Sequence, residues 1–90
     1  MNYIEKYNLG KDAFVPMFPN SEVIHLGKDR PGYRGALCLW VLHTVEKGDV
    51  AILKKIEAHT DDQEFDIEGW YYVGTEVSDS GSTLHVFVEE

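Results

Sequence analysis

The strongest hydrophobic signal in the sequence is an uninterrupted apolar run, Ala-Leu-Cys-Leu-Trp-Val-Leu, at positions 36–42. A transmembrane helix needs about 20 apolar residues, so this run is too short to cross a bilayer. Alternate residues of a strand point to opposite faces, and here both sets are apolar. We therefore predict that a strand at 36–44 is buried on both faces and forms the centre of a small sheet.

The pattern on either side of this run predicts further short strands separated by turns. Gly, Pro, Asn, Asp and Ser cluster between the apolar or alternating segments, as is typical of turns. Pro16 cannot donate a ladder hydrogen bond, so its segment is expected at a sheet edge. The other predicted strands lie at 3–9, 13–18, 22–26, 50–59, 70–77 and 83–88. This spacing predicts an all-β fold, a small antiparallel sandwich or partly open barrel of six to seven short strands, in a single domain spanning residues 1–90.

Residues 50–59 are the ambiguous segment. As a strand they would place Ile52 and Ile56 on one face, interrupted by Lys54. As a helix they would mix charged and apolar residues on the same face, which favours the strand. The short turn at 46–49 indicates that this strand is an antiparallel partner of the central strand.

The charge is divided unevenly along the chain. The net charge is −8, yet residues 1–55 hold eight Lys and Arg against six acids, a balance of +2. Residues 56–90 hold ten acids and neither Lys nor Arg, a balance of −10. Such a segment repels phosphates, so we expect no direct nucleic-acid binding by the acidic C-terminal part. It suits attraction to a basic protein surface, although an acidic surface also keeps a small protein soluble.

The composition argues for a cytoplasmic protein without enzymatic activity. A single cysteine excludes an internal disulfide bond and suits a reducing compartment. The N-terminal residues show no apolar signal-peptide region, and no run is long enough for a membrane span. Cys38 lies inside the most apolar run, so we expect it in the core and not as a nucleophile. The sequence has neither a Gly-x-Ser-x-Gly nucleophile elbow nor a recognisable glycosidase pair of acids, and no catalytic residue is assigned.

Three short motifs together are similar to a known family. Cys38-Leu39-Trp40, Tyr72-Val73-Gly74-Thr75 and His85-Val86-Phe87 occur in an order and spacing that resemble small proteins encoded by bacteriophages and prophages, which have no assigned function. The resemblance runs from Lys6-Tyr7 through most of the chain. Where the family usually has a Gly-Thr-Gly-His-Pro-like segment, residues 57–61 keep only the histidine. The resemblance implies an all-β fold and a phage origin, and no catalytic residues.

The first candidate site is a ladder of acidic residues after the fifth predicted strand. In an extended conformation, carboxylates at a spacing of two point to one side of the chain, as predicted for Asp62, Glu64, Asp66 and Glu68. The spacing does not fit an EF-hand loop, because the twelfth position would be Tyr72 or Val73. A solvated edge that blocks strand pairing and a calcium site of another kind remain alternatives to a partner-binding face that imitates a phosphate backbone. The predicted partner-binding residues are Glu57, Asp61, Asp62, Glu64, Asp66 and Glu68.

The second candidate site is the glycine-rich loop at 27–35. Lys28, Arg30 and Arg34 could hold phosphate groups, and Tyr33 could stack on a base. The loop fits neither a P-loop nor a dinucleotide fingerprint. Its alternatives are a solvated connection, a nucleotide-binding loop, or a contact with the acidic ladder of a second subunit in a homo-oligomer.

The four histidines form a third candidate. His25, His43, His59 and His85 have no zinc-finger spacing, and we expect surface or rim histidines that make hydrogen bonds, with no metal or other cofactor. The alternative is a metal site in which His43 lies near His85 on an adjoining strand, with Asp61 or Asp62 as the carboxylate ligand.

These observations predict a non-enzymatic phage accessory protein that acts in the host cytoplasm. It would bind and inhibit or sequester a host protein, such as a component of anti-phage defence, through its acidic face. The alternative is an oligomeric sponge that binds a nucleotide signal through the basic and aromatic loop. A virion structural component is a third option, and none of the three places the protein in a membrane.

Overall fold

The computed structural model of the chain describes residues 1–31, 35–77 and 81–90, and in these ranges it contains strands and turns without any helix. No helix of the described ranges could therefore cross a membrane. The strands are β1 (Asn2–Asn8), β2 (Phe14–Met17), β3 (Glu22–Lys28), β4 (Leu37–Thr44), β5 (Ile52–Thr60), β6 (Trp70–Val77) and β7 (Thr83–Glu89). The predicted all-β fold is confirmed.

The strands form two antiparallel sheets that pack face to face. The smaller sheet has the order β1-β4-β3, and the larger has the order β2-β5-β7-β6. β3 and β6 lie beside each other at one side of the molecule, but no ladder joins them. The sheets are therefore not closed into a barrel, and the fold is the small sandwich predicted. β2 is an edge strand, as Pro16 requires.

β4 is the centre of the smaller sheet, as its apolar run predicts. Leu39 and Val41 are fully buried and face the other sheet, and Cys38 is fully buried on the opposite face. Trp40 on that opposite face is only half-buried, and its ring lies 5.3 Å from that of His25. The expectation of burial on both faces is thus met at Cys38 and is wrong at Trp40.

The strand assignment of residues 50–59 is confirmed, but the predicted partner is wrong. β5 pairs with β2 and β7 in the larger sheet, whereas β1 and β3 occupy the two edges of β4. The turn before β5 is closed by hydrogen bonds from the Asp49 N–H to the Glu46 carbonyl (3.0 Å) and from the Glu46 N–H to the Asp49 carboxylate (2.9 Å). It carries the chain from one layer to the other instead of back along the same sheet.

The core lies between the sheets and draws on both. Fully burying a Val or Leu side chain contributes roughly 1.5–3 kcal/mol, so this cluster supplies much of the folding free energy. The buried cluster consists of Tyr7, Val15, Met17, Leu39, Val41 and Val88, with Leu9, Val23, Leu26, Ile56 and Val73 packed against it.

One histidine is part of this interior. His43 is fully buried, although we expected the histidines at the surface or its rim. Its Nδ1 lies 2.7 Å from the Ser21 hydroxyl, and its Nε2 lies 2.9 Å from the Tyr7 hydroxyl. The Tyr7 hydroxyl donates to the Glu5 carboxylate at 2.9 Å, so Nε2 donates to Tyr7 and Nδ1 accepts from Ser21. Burial lowers the pKa of His43, which favours this neutral form.

Candidate protein-binding face

The predicted acidic residues surround the outer face of the larger sheet. Val86 and Val88 point into the core, so His85 and Phe87 point to the opposite, outer face. Phe87 is nevertheless only 6% exposed. The connection between β5 and β6 covers it, because the Phe65 ring lies 4.8 Å from the Phe87 ring. The acidic connection is therefore a layer on the sheet and not a loop that extends into solvent.

Phe65 holds this connection in place. Its ring stacks on that of His59 with a centroid distance of 4.2 Å and an interplanar angle of 7°. Local hydrogen bonds fix the chain on either side: the Thr60 N–H donates to the Gln63 side chain (3.1 Å), and the Glu68 N–H donates to the Asp66 carboxylate (3.0 Å). Aromatic packing of this kind is worth about 0.5–1.5 kcal/mol beyond the buried area.

The six predicted partner-binding residues occupy two kinds of position. Glu57 is half-buried on β5, where its carboxylate bonds to Lys55 (3.3 Å) and His59 (3.1 Å). The other five are exposed and follow β5. Asp62 lies in a turn with a φ of 64°, and Glu68 lies in the turn before β6, so strict alternation holds only between them. We define the acidic face as Glu57, Asp61, Asp62, Glu64, Asp66 and Glu68.

A polar network adjoins the acidic face. His85 Nε2 lies 2.5 Å from the Asp61 carboxylate, His85 Nδ1 lies 2.9 Å from the Thr75 hydroxyl, and Tyr72 bonds to the same hydroxyl. A hydroxyl, an imidazole and a carboxylate in this order also occur in nucleophilic triads. In the fold, the network joins the start of the acidic connection to β6 and β7.

A β-bulge creates this network, and the sequence pattern did not predict it. Tyr72 is opposite Phe87 and Thr75 is opposite His85, with a register shift between Tyr72 and Gly74. Without the bulge, residues 72 and 75 would face opposite sides of the sheet. The network therefore brings together residues of the Tyr72-Val73-Gly74-Thr75 and His85-Val86-Phe87 motifs, on which the family resemblance depends. Gly74 was a signal for the bulge, since glycine within a strand often marks one.

His59 carries an unusual polar atom. The residue is 7% exposed, and its Nδ1 is buried without a hydrogen-bond partner among the described residues. Leaving a buried polar atom unpaired costs about 1–3 kcal/mol. The expectation of a surface histidine is wrong here as well, because Phe65 and Phe87 pack against its ring.

The alternative metal site is not formed. His43 lies on β4 in the smaller sheet and His85 on β7 in the larger, so the two are not on adjoining strands. Asp61 does approach His85, but the described part of the chain contains no group of three or more His, Cys, Asp or Glu that could hold a metal ion. The idea that His43 lies near His85 is therefore wrong.

The basic loop is described only in part. Lys28 ends β3 and Arg30 follows it, whereas Tyr33 and Arg34 lie outside the described residues. At the base of the loop, the Ala36 N–H donates to the Asp29 carboxylate at 2.9 Å. A nucleotide-binding role for Lys28, Arg30, Tyr33 and Arg34 stays a prediction.

Cys38 is a core residue, as predicted. Its side chain is fully buried, and burial raises the pKa of its thiol. A protonated and inaccessible thiol is a poor nucleophile.

The sequence matches no protein-family model, and neither curated proteins nor solved structures give a match.

Proposed function

We propose that this chain is a non-enzymatic phage accessory protein that docks on a basic surface of a host protein through its acidic face. One observation carries the proposal: five exposed carboxylates lie on a connection that Phe65 seats against the sheet. They belong to a region, residues 56–90, without Lys or Arg. The nearest base in the sequence, Lys55, already pairs with Glu57.

A connection that is packed against the sheet suits recognition better than a free loop of the same charge. A free loop must lose conformational freedom when it binds, and a pre-ordered one loses less. The fixed carboxylates also attract a basic surface over a distance of about 10 Å at moderate salt, which raises the association rate.

Apolar side chains between the carboxylates provide contact area. Phe65 is 40% exposed, and Ile67 and Tyr72 are also exposed near the acidic residues. Interfaces gain most of their affinity from a few such aromatic anchors, whereas surrounding charges contribute orientation and specificity. The acidic face thus combines apolar and aromatic anchor residues with carboxylates around them.

The effect on the partner would be inhibition or sequestration in the host cytoplasm. A row of carboxylates competes with other anions, including a phosphate backbone, for the same basic site. The phage origin in this proposal comes from the motif resemblance. The host protein that is inhibited or sequestered would be one that limits phage growth.

Charge neutralisation tests the proposal. In the variant D62N/E64Q/E68Q, three acids of the face become neutral without loss of the Phe65 contacts or the Asp66 hydrogen bond. The control E22Q/E46Q/E90Q removes the same number of exposed acids elsewhere. The tagged chain is used to capture its partner from a host lysate at low salt, and the affinity of the purified partner is then measured.

We expect the face variant to weaken binding by about tenfold, since exposed ion pairs contribute roughly 0.2–1 kcal/mol each. The control should bind within about twofold of the wild type. Equal losses in both variants would show that only overall charge matters, and unchanged binding by the face variant would overturn the proposal.

A further inference from the structure

The aromatic stack beneath the acidic connection has one uncovered surface. The Phe65 ring lies parallel to the His59 ring, with 4.2 Å between the centroids and an interplanar angle of 7°. The Phe87 ring is 4.8 Å from Phe65 and 5.7 Å from His59, and it is tilted against them by 59° and 65°. These three distances place Phe87 beside the stacked pair, and not over the second face of Phe65.

The second face of Phe65 is open to solvent on a support that is itself fixed. Phe65 remains 40% exposed, although His59 covers one face of its ring and Phe87 packs against its side. The two supporting residues are 7% and 6% exposed, and the His59 Nε2 bonds to the Glu57 carboxylate at 3.1 Å. Phe65 is therefore an aromatic platform with one face available to a planar ligand.

The charges near this platform favour a cation as the ligand. Glu64 and Asp66 are the exposed residues on either side of Phe65, and Asp62 and Glu68 lie on the same connection. An aromatic face attracts cations. A guanidinium group that stacks on the ring directs its N–H groups outward in its own plane, where carboxylates accept them. An ammonium group is not planar and cannot stack in this way.

Charge distinguishes Phe65 from the other exposed aromatic residues. Phe14 is 51% exposed, but it lies directly opposite Lys55 on β5, and this ammonium group repels a second cation. Tyr72 is 55% exposed, but neither of its neighbours in sequence is charged. Phe65 lies between two acids in a region, residues 56–90, that contains neither Lys nor Arg. A positively charged side chain is therefore attracted to Phe65 more strongly than to Phe14.

We infer that Phe65 is an arginine-binding residue: the guanidinium group of an arginine in the partner stacks on its open face and donates to carboxylates of the acidic face. This inference rests on the proposed function and names the side chain by which the basic partner is recognised. The carboxylates alone attract Lys and Arg alike. The aromatic platform adds a preference for Arg, so Phe65 determines specificity.

Synthetic peptides test the inference directly. The probes are three hexapeptides in which Gly alternates with Arg, with Lys, or with citrulline, which has nearly the shape of Arg without its charge. Binding is followed by NMR through the ring signals of Phe65 and the backbone amides of residues 61–69. We expect the Arg peptide to shift the Phe65 ring signals and to bind about threefold more tightly than the Lys peptide, as is typical of a cation on an exposed ring. The citrulline peptide should not bind measurably.

Three variants assign the preference to the Phe65 ring. F65L still covers His59 and Phe87 with an apolar side chain but has no aromatic face, so it should bind the Arg and Lys peptides equally. F65Y keeps a ring and should retain the preference for Arg. F14L removes a ring of similar exposure outside the acidic face and should also retain it. Urea denaturation of each variant checks that the fold is kept.

The outcomes separate the two proposals. Equal affinity of the wild type for the Arg and Lys peptides, or an unchanged preference for Arg in F65L, overturns the arginine site and leaves the acidic face standing. D62N/E64Q/E68Q should weaken both basic peptides and keep the preference for Arg. If this variant binds the captured partner as tightly as the wild type does, while F65L loses the preference for Arg, the acidic face is overturned and the arginine site stands.

Discussion

His43 and His85 each bridge a hydroxyl and a second polar group, in opposite settings. His43 is fully buried, and both its ring nitrogens have partners inside the fold. The His85 side chain is 32% exposed, and its partner Asp61 is 66% exposed. The first network joins β1 and β4 to the turn before β3, so its loss should disturb the whole fold. The second borders the acidic face, so its loss should act mainly on recognition.

The largest difference is expected when the two buried histidines are each changed to Phe. H43F leaves the Ser21 and Tyr7 hydroxyls without their buried partner and should lower the free energy of unfolding by about 2–3 kcal/mol. H59F keeps the ring packing on Phe65 and Phe87 and removes the unpaired Nδ1, but it also loses the Nε2 bond to Glu57. Because these two changes act in opposite directions, the net effect should stay within about 1 kcal/mol. Urea denaturation measures both values, and equal losses would contradict the assignment of His43 as the structural histidine.

A smaller effect is expected when the Phe65 ring, which packs the acidic connection against the sheet, is removed. F65A uncovers Phe87 and His59 and should cost about 1–2 kcal/mol of stability. It should also speed hydrogen exchange in residues 61–69 and weaken partner binding. The control F14A removes an exposed Phe on β2, for which the described structure gives no ring contact. It should change neither the hydrogen exchange of residues 61–69 nor partner binding. Unchanged exchange in F65A would show that the connection is held by its hydrogen bonds alone.

The smallest effect concerns pH. Burial lowers the pKa of His43 below its ordinary value of 6.5, and Glu5 opposes this shift. The unfolded chain therefore takes up a proton before the folded chain does, so the stability contributed by neutral His43 is complete above pH 6.5 and declines as the pH falls toward the folded pKa. H43F should lose less stability than the wild type over this acidic range. Urea midpoints at several pH values give the comparison, and parallel curves would contradict it.

The larger features were predictable because they follow from local pattern. The apolar run at 36–42 predicted a central strand, and Pro16 predicted an edge strand. The pairing of β5 was not predictable, because the turn at 46–49 can either fold a chain back or carry it to the other layer. The position of Phe65 was also hidden, since a single aromatic residue among acids resembles a solvated loop until Phe87 is known to need a cover.

The acidic residues were found from charge alone, but their arrangement was not. Spacing predicted that Asp62, Glu64, Asp66 and Glu68 share one side of an extended segment, whereas Asp62 and Glu68 lie in turns. Spacing also could not show that Asp61 bonds to His85. That contact depends on strand order in the larger sheet. The bulge between Tyr72 and Gly74 was equally beyond a pattern of alternation, because one extra residue inverts every position after it.

The most direct test of the acidic face is the salt dependence of partner binding. Affinity for the purified partner is measured over a range of salt concentrations for the wild type, for D62N/E64Q/E68Q and for E22Q/E46Q/E90Q. The account predicts a steep loss of affinity with salt in the wild type and the control, and a clearly shallower one in the face variant. The same slope in all three proteins would contradict the claim that these carboxylates meet the partner.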